Sequence, residues 1–173
     1  MSALEATMPP PQRAAINGIE LGWYEAGPRD GAPIVLCHGF PELAFSWRHQ
    51  IKALADAGRW VIAPDQRGYG VSGKPEGVEA YDIDHLTGDL TGLLDHLGVE
   101  KAIFCGHDWG GIVVWQMPLI HPERVAGVIG LNTRRTGSVA RTKNRMKKKS
   151  ESSLRNMPIA ARPISVHMMT PST

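Results

Sequence analysis

The stretch that decides the fold is Cys-Gly-His-Asp-Trp-Gly-Gly, residues 105–111, where a short apolar run gives way to an amphipathic one. Lys101–Cys105 reads as a buried strand and Trp109–Ile120 as a helix, so the glycines stand at a strand-to-helix turn. This is the sequence context of a nucleophile elbow, written G-x-S-x-G in its serine form, with Asp108 in the central place. An aspartate that only caps a helix is the alternative interpretation of these residues.

Outward from this turn, strand-like and helix-like runs alternate along the chain. The further buried strands are predicted at Pro33–His38, Trp60–Pro64 and Arg124–Leu131. Trp47–Ala57 and Asp82–Leu97 have the apolar spacing of helices, and the pair Asn17-Gly18 predicts a hairpin near the N-terminus. Strands that alternate with helices and are buried on both faces predict an α/β fold, with a mostly parallel sheet and helices on each side.

The charge of the chain changes near residue 133. Residues 1–133 contain 9 Lys and Arg against 16 Asp and Glu, and all 11 aromatic residues; residues 134–173 contain 10 Lys and Arg and one acid, Glu151. A segment with high charge and few large apolar groups cannot offset its chain entropy. We therefore predict a flexible N-terminus at 1–11, a partial α/β domain at 12–133 and a basic, disordered tail at 134–173.

No part of the sequence predicts a membrane segment. The first residues lack an apolar stretch of the length that a signal peptide needs, and no later run is long enough to span a bilayer. A cytoplasmic location is therefore predicted. Cys37 and Cys105 each lie in a short apolar run and are predicted to be buried thiols. Their predicted strands are neighbours, so a disulfide stays open as the less favoured alternative.

Two further motifs follow the strands that precede the elbow. HGFPE (38–42) comes after the first buried strand, and DQRGYGVSGKP (65–75) comes after the next. Together with GHDWGG (106–111), these motifs resemble the α/β-hydrolase superfamily and, within it, the epoxide hydrolases of the soluble type with an aspartate nucleophile. The resemblance extends over residues 14–133 and implies the N-terminal part of an α/β-hydrolase fold.

The resemblance implies a defined chemistry at Asp108. A carboxylate with an ordinary pKa near ~3.9 is ionised at neutral pH and can attack an epoxide carbon without a base to activate it. Water would then hydrolyse the ester to a diol, with the backbone N–H groups of Phe40 and Trp109 as candidate oxyanion donors. The motif-supporting residues are His38, Gly39, Pro41, Gly106, His107 and Gly110. The expected substrate is a small-molecule epoxide or a related compound, and neither a metal nor a cofactor is expected.

The chain departs from the family pattern at Thr133-Arg134. The family carries its catalytic acid, its histidine and the tyrosines of its helical cap in later segments. Here no tyrosine follows Tyr81, and His167 is the only histidine after His121. The resemblance therefore implies a C-terminally truncated member with an aberrant tail, in which the cap and the last strands are missing and turnover is impaired.

Two other interpretations stay open. A haloalkane or haloacid dehalogenase uses the same aspartate elbow, and the residues that would decide belong to the cap. The second is an inactive fragment whose basic tail binds nucleic acid or another anion. Because no aromatic residues are interleaved with the cations of the tail, a dedicated nucleic-acid site is not expected. The sequence leaves the oligomeric state open.

Overall fold

A computed structural model of the chain describes residues 8–133. Six strands form one sheet and are, in chain order, β1 Gln12–Ile16, β2 Ile19–Ala26, β3 Pro33–Cys37, β4 Trp60–Pro64, β5 Ala102–His107 and β6 Val125–Leu131. The helices are α1 Arg48–Asp56, α2 Ile83–Leu97, α3 Asp108–Val114 and α4 Met117–Ile120, and short 3-10 turns span Ala44–Trp47, Val78–Tyr81 and Pro122–Arg124. The predicted disordered tail at 134–173 and most of the predicted N-terminal segment lie outside the described residues.

The sheet is mostly parallel, as the alternation of strands and helices predicts. Its order is β1-β2-β4-β3-β5-β6; the last four strands pair in parallel, and the β1–β2 hairpin joins antiparallel to β4. Asn17 and Gly18 have φ angles of 49° and 80°, the left-handed backbone that a tight hairpin turn requires. Because β3, β4 and β5 run in parallel, the three motifs that follow these strands lie together at their carboxyl ends.

Helices cover both faces of the sheet, and each face has its own apolar cluster. On one face, α2 and α3 pack on side chains that include Val35 and Phe104. On the other face, α1 packs on side chains that include Leu36 and Val61. Val35 and Leu36 belong to different clusters because successive residues of a strand point to opposite faces. The predicted fold class, with helices on each side, is confirmed.

The limits of α2 follow from its caps. The Asp82 carboxylate accepts the backbone N–H of His85 at 2.9 Å, and Gly98 ends the helix in the left-handed conformation at a φ of 69°. Both limits were predicted from the sequence. Among the described residues, no helix is both long enough and apolar enough to cross a membrane.

The single helix predicted over Trp109–Ile120 is wrong. The structure has two short helices, α3 and α4, which are separated at Trp115 and Gln116, and Pro118 lies in the first turn of α4. Inside a longer helix, Pro118 would have no N–H for the carbonyl four residues earlier, and its ring would clash with that carbonyl. The chain therefore starts a new helix at a position where the proline is tolerated.

The outer strand β6 is less buried than its apolar run alone indicates, as expected where the predicted partial sheet ends. Its apolar run predicted a strand covered on both faces, but no residue of β6 is fully buried, and Ile129 and Leu131 are 44% and 43% exposed. Within residues 8–133, β6 pairs with β5 on one side and with no strand on the other. An open edge that exposes apolar side chains favours association with other chains.

The two cysteines are free thiols on opposite faces of the sheet. Cys105 pairs in register with Leu36, so Cys37 is offset by one residue and points to the other face. Burial raises the pKa of both thiols. The prediction of buried thiols on neighbouring strands is confirmed, and the alternative of a disulfide between them is wrong.

Candidate active site

Asp108 lies at the turn where β5 ends and α3 begins. Its φ angle is 47°, in the left-handed region that residues other than glycine adopt at a cost. The neighbouring positions Gly106 and Gly110 have no room for any side chain. A Cβ on Gly106 would lie 2.4 Å from the carbonyl of Gly110, and a Cβ on Gly110 would lie 2.1 Å from the carbonyl oxygen of Cys37. The close approach of α3 to β5 and β3 therefore requires these glycines.

The backbone N–H of Phe40 points at the Asp108 carboxylate, with 3.3 Å between the nitrogen and Oδ1. Gly39 permits this approach, because a Cβ there would lie 2.9 Å from the Cβ of Asp108 and 3.3 Å from Nδ1 of His107. The peptide bond between Phe40 and Pro41 is cis. The structure thus brings the loop after β3 against the elbow and directs a backbone donor at the carboxylate.

The other predicted donor, Trp109, follows Asp108 at the start of α3. Its ring is partly buried and packs against the apolar cluster beneath α2 and α3. Phe40 is 49% exposed, and Leu43 and Phe45, which follow it in the chain, are exposed as well. The Asp108 carboxylate therefore borders a loop with several exposed apolar side chains.

His38 is fully buried between the loops that follow β3 and β4. Its Nδ1 lies 2.9 Å from the Gly39 carbonyl oxygen, its Nε2 accepts the backbone N–H of Gln66 at 3.0 Å, and the Gln66 side-chain amide donates to the His38 carbonyl at 2.6 Å. Burial lowers the pKa of His38, against the opposing effects of the Gly39 carbonyl, Asp65 and Glu42. The imidazole therefore serves as a neutral link between the two loops.

Glu42 holds the same loop from its other end. Its Oε2 accepts the Gly39 N–H at 3.2 Å and the Ser46 hydroxyl at 3.3 Å, and it lies 3.5 Å from Nδ1 of His107. His107 and Glu42 are each 35% exposed in their side chains. These contacts place His107, one of the predicted motif-supporting residues, against the loop that carries the Phe40 amide.

Two charged residues of the loop after β4 act as braces. Asp65, 1% exposed, accepts the backbone N–H groups of Ala44 at 2.8 Å and Val71 at 3.0 Å. Arg67, 2% exposed, forms a two-pronged ion pair with Asp89 of α2. Asp65 thus ties the loop after β4 to the loop after β3 at Ala44, and Arg67 ties it to α2.

Tyr69 is the aromatic residue of this loop that lies nearest to the chemistry. Its ring packs edge-on against the His38 imidazole, with 5.1 Å between centroids. Burial raises the pKa of Tyr69, and the charges of Tyr81 and Asp108 raise it further. The phenol therefore stays protonated near neutral pH, and it lies close enough to Asp108 for the charge of that carboxylate to raise its pKa.

Sequence reasoning missed Gln66 and Asp89. Gln66 stands in the quoted motif, but nothing in the sequence shows that its backbone and side chain both bind His38. Asp89 reads as an ordinary helix residue in α2, although its burial beside leucines was a usable signal that it needs a cationic partner. Both residues act through long-range pairing, which local patterns do not reveal.

Other surfaces of the described chain are less suited to chemistry. A shallow open depression bordered by Asp95, Glu100 and Arg124 lies at the end of the sheet opposite Asp108. Of its acidic groups, Asp95 is already ion-paired with Arg124 at 2.7 Å. Among residues 8–133, no three His, Cys, Asp or Glu side chains are grouped so that they could hold a metal ion. The candidate site therefore lies at the carboxyl ends of the strands, where Asp108 follows β5.

The elbow, the parallel sheet and the converging loops define the class of this protein. The sequence profile of the alpha/beta hydrolase fold family matches residues 32–165. The chain belongs to the alpha/beta hydrolase fold family.

Within that family, the chain is similar to epoxide hydrolases. It is 63% identical over 117 residues to epoxide hydrolase A of Mycobacterium tuberculosis, a match that covers 67% of this chain and 36% of that protein. It is 50% identical over 116 residues to bifunctional epoxide hydrolase 2 of Sus scrofa, covering 67% of this chain and 20% of the relative. The resemblance inferred from the motifs is confirmed.

A solved structure agrees with these relatives. The crystal structure of epoxide hydrolase A from Mycobacterium thermoresistibile superposes with a TM-score of 0.72 at 51% identity, over 84% of this chain and 45% of that one. The chain thus spans less than half of the length of each of these relatives.

Proposed function

We propose that Asp108 is the nucleophile of an epoxide hydrolase reaction. The observation that carries the proposal is the geometry of the elbow: a carboxylate held at a left-handed turn, with the Phe40 N–H 3.3 Å from its Oδ1. The epoxide hydrolases to which the chain is similar supply the substrate class. Phe40 and Trp109 are proposed as the backbone oxyanion donors, supported by His38, Gly39, Pro41, Gly106, His107 and Gly110.

The reaction has two steps. Asp108 Oδ attacks an epoxide carbon, the carbon–oxygen bond of the ring breaks, and the released alkoxide takes a proton, leaving an ester. Water then adds to the Asp108 carbonyl carbon with loss of a proton, and the oxyanion is held by backbone donors. The ester bond breaks, and the diol leaves with a proton. No side chain has to activate the nucleophile for the first step, because a carboxylate of ordinary pKa is ionised at neutral pH.

We further propose that the second step is the slower one in this chain. Ester hydrolysis needs a general base beside the attacking water, a contribution of about 10²–10⁴-fold. Of the described histidines nearest to Asp108, His38 has both ring nitrogens engaged, and His107 turns Nδ1 toward Glu42. The described residues therefore support formation of the ester better than its turnover.

The test is covalent labelling. The chain is incubated with an aryl epoxide, and the intact mass and peptide map are followed with time. We expect one adduct at Asp108 that forms slowly and accumulates, and its absence in Asp108→Ala. Asp56→Asn, an exposed carboxylate on α1, is the matched control and should label as the unaltered chain does.

One result would overturn the proposal for Asp108, and another would overturn only the proposal of a slow second step. Labelling confined to Cys37 or Cys105 would show that the elbow does not act as the nucleophile. Rapid, sustained diol formation that Asp108→Ala abolishes would support Asp108 and contradict a slow second step. A haloalkane or haloacid in place of the epoxide tests the dehalogenase alternative, which no contact in the site favours over the epoxide reaction.

The remaining features are proposals of the same kind. We propose an ordered domain over residues 12–133, which limited proteolysis should leave intact when the basic segment 134–173 is removed. The two free thiols agree with a reducing, cytoplasmic location, which cell fractionation would check. We propose a small-molecule partner and no dedicated nucleic-acid site, so any binding of nucleic acid should disappear with added salt.

A further inference from the structure

The His38 imidazole connects two strand ends with a single defined tautomer. The backbone N–H of Gln66 can only donate, so Nε2, at 3.0 Å, must carry the lone pair. The Gly39 carbonyl oxygen can only accept, so Nδ1, at 2.9 Å, must carry the hydrogen. Both ring nitrogens are thus used, and the ring is neutral.

The link acts on the donor that faces the nucleophile. The Gly39 carbonyl oxygen, which is hydrogen-bonded to Nδ1 of His38 and also accepts the backbone N–H of Glu42 at 3.1 Å, belongs to the same peptide unit as the Phe40 N–H. The orientation of this one peptide plane therefore fixes both the bond to His38 and the 3.3 Å approach of Phe40 N to Asp108 Oδ1.

We propose that His38 is a positioning residue, which sets the Phe40 amide for ester hydrolysis by tying its peptide plane to the loop after β4 through Gln66. This role rests on the proposed function of Asp108. It concerns the second step, because the oxyanion develops only when water attacks the ester. Initial attack on the epoxide does not depend on the donor in the same way.

Protonation of His38 would release the link. With a proton on Nε2, the ring and the Gln66 N–H would present two donors to each other. The groups that face the ring are Asp65 and Glu42, whose charges favour the proton, and Tyr69, whose ring packs against its edge. Burial outweighs the two carboxylates, so the neutral link persists at neutral pH and is lost only in acid.

Two substitutions separate positioning from simple packing. His38→Gln places an amide oxygen near the position of Nε2, where it accepts the Gln66 N–H but cannot titrate. His38→Asn reaches only the position of Nδ1 and leaves Gln66 without its acceptor. His49→Gln, on the exposed side of α1, is the matched control for loss of a titrating imidazole.

The experiment forms the Asp108 adduct with an aryl epoxide, removes excess reagent, and follows loss of the adduct between pH 5 and pH 8. For His38→Asn we expect adduct formation within about 3-fold of the unaltered chain and adduct hydrolysis slower by about 10²-fold, the loss typical of one oxyanion donor. His38→Gln keeps the bond to Gln66 but not the bond to the Gly39 carbonyl, so it should also hydrolyse the adduct more slowly than the unaltered chain, with a rate that changes less in acid. His49→Gln should keep the normal pH profile.

Nitrogen NMR of the unaltered chain, labelled in its histidines, gives a readout that needs no epoxide. The expected result is the Nδ1–H tautomer for His38 at neutral pH. The Nε2–H tautomer, or normal adduct hydrolysis in His38→Asn, would overturn the proposal. Equal slowing of both steps would assign His38 a merely structural role. If the unaltered chain forms no adduct, the proposed function fails and this role with it, while the NMR result still shows whether the link exists.

Discussion

Strands β4 and β6 have similar apolar sequences and opposite environments. All five residues of β4, Trp60–Pro64, are buried, because the strand has a neighbour on each side and side chains packed on each face. No residue of β6, Val125–Leu131, is fully buried, and within the described chain it has one neighbour only. The difference shows that the apolar composition of a strand does not determine how completely the strand is covered.

The candidate site depends on the well-covered part of the sheet. Its groups follow β3, β4 and β5, and the buried ring of His38 joins the first two of these strand ends. The strand β6 contributes by pairing with β5, the strand that leads to Asp108, from Val125 to Leu131 with one register shift between Ala102 and Ile103. We therefore expect small substitutions in the central strands and at the elbow to lower the free energy of unfolding more than comparable substitutions in the outer strand β6.

The largest expected difference concerns two ion pairs of α2. Asp89→Ala leaves the Arg67 guanidinium buried without its carboxylate, and we expect a loss of about 3–5 kcal/mol in the free energy of unfolding. Asp95→Ala removes the partner of Arg124 beside β6, where the Asp95 carboxylate is 67% exposed and Arg124 keeps two carbonyl acceptors. The expected loss there is below about 1 kcal/mol. Urea unfolding measures both, and equal losses would contradict the comparison.

Two glycine substitutions sharpen the same contrast. In Gly110→Ala the new Cβ meets the Cys37 carbonyl oxygen at 2.1 Å, and neither backbone can move without opening the elbow. We expect a loss of about 3 kcal/mol, at the upper end for an overpacked core. In Gly127→Ala of β6 the nearest atom is 3.8 Å away, and stability should stay the same or rise slightly. A tolerated Gly110→Ala would mean that α3 does not pack this closely on β3.

The smallest effect on stability is expected at the edge itself. Ile129→Lys puts a charge on the exposed face of β6, and the free energy of unfolding should change by less than about 0.5 kcal/mol. Self-association and binding of a hydrophobic dye should both decrease, since a lysine blocks pairing at an open edge. Light scattering and dye fluorescence measure these quantities. Unchanged association would show that chains meet through another surface.

The elements that the sequence predicted well are those with local signals. The caps Asp82 and Gly98 define α2, the Asn17-Gly18 pair defines the hairpin, and the glycines around Asp108 define the elbow. Each of these signals depends on backbone angles or hydrogen bonds within a few residues. The single helix predicted over residues 109–120 is wrong because Pro118 interrupts it. This effect is also local, since it depends on the backbone within a few residues of the proline.

The remaining features depend on pairing between distant segments. The insertion of β3 between β4 and β5 places Cys37 one residue out of register with Cys105, and no local pattern gives that offset. The same arrangement brings Gln66 under His38 and Asp89 against Arg67. The exposure of β6 depends on what packs beside the strand, so it follows from the prediction of a partial sheet that ends there rather than from the residues of β6.

The left-handed backbone of Asp108 sets stability and activity against each other at one position. Glycine adopts a φ of 47° without the strain that aspartate bears there, so Asp108→Gly should raise the free energy of unfolding by about 1 kcal/mol while removing the carboxylate. A library selected only for thermal stability should therefore enrich glycine at 108 and discard the proposed nucleophile. Selection for labelling by an epoxide should retain aspartate there. Opposite enrichment in the two selections would show that the carboxylate lowers the free energy of unfolding while it provides the reactivity.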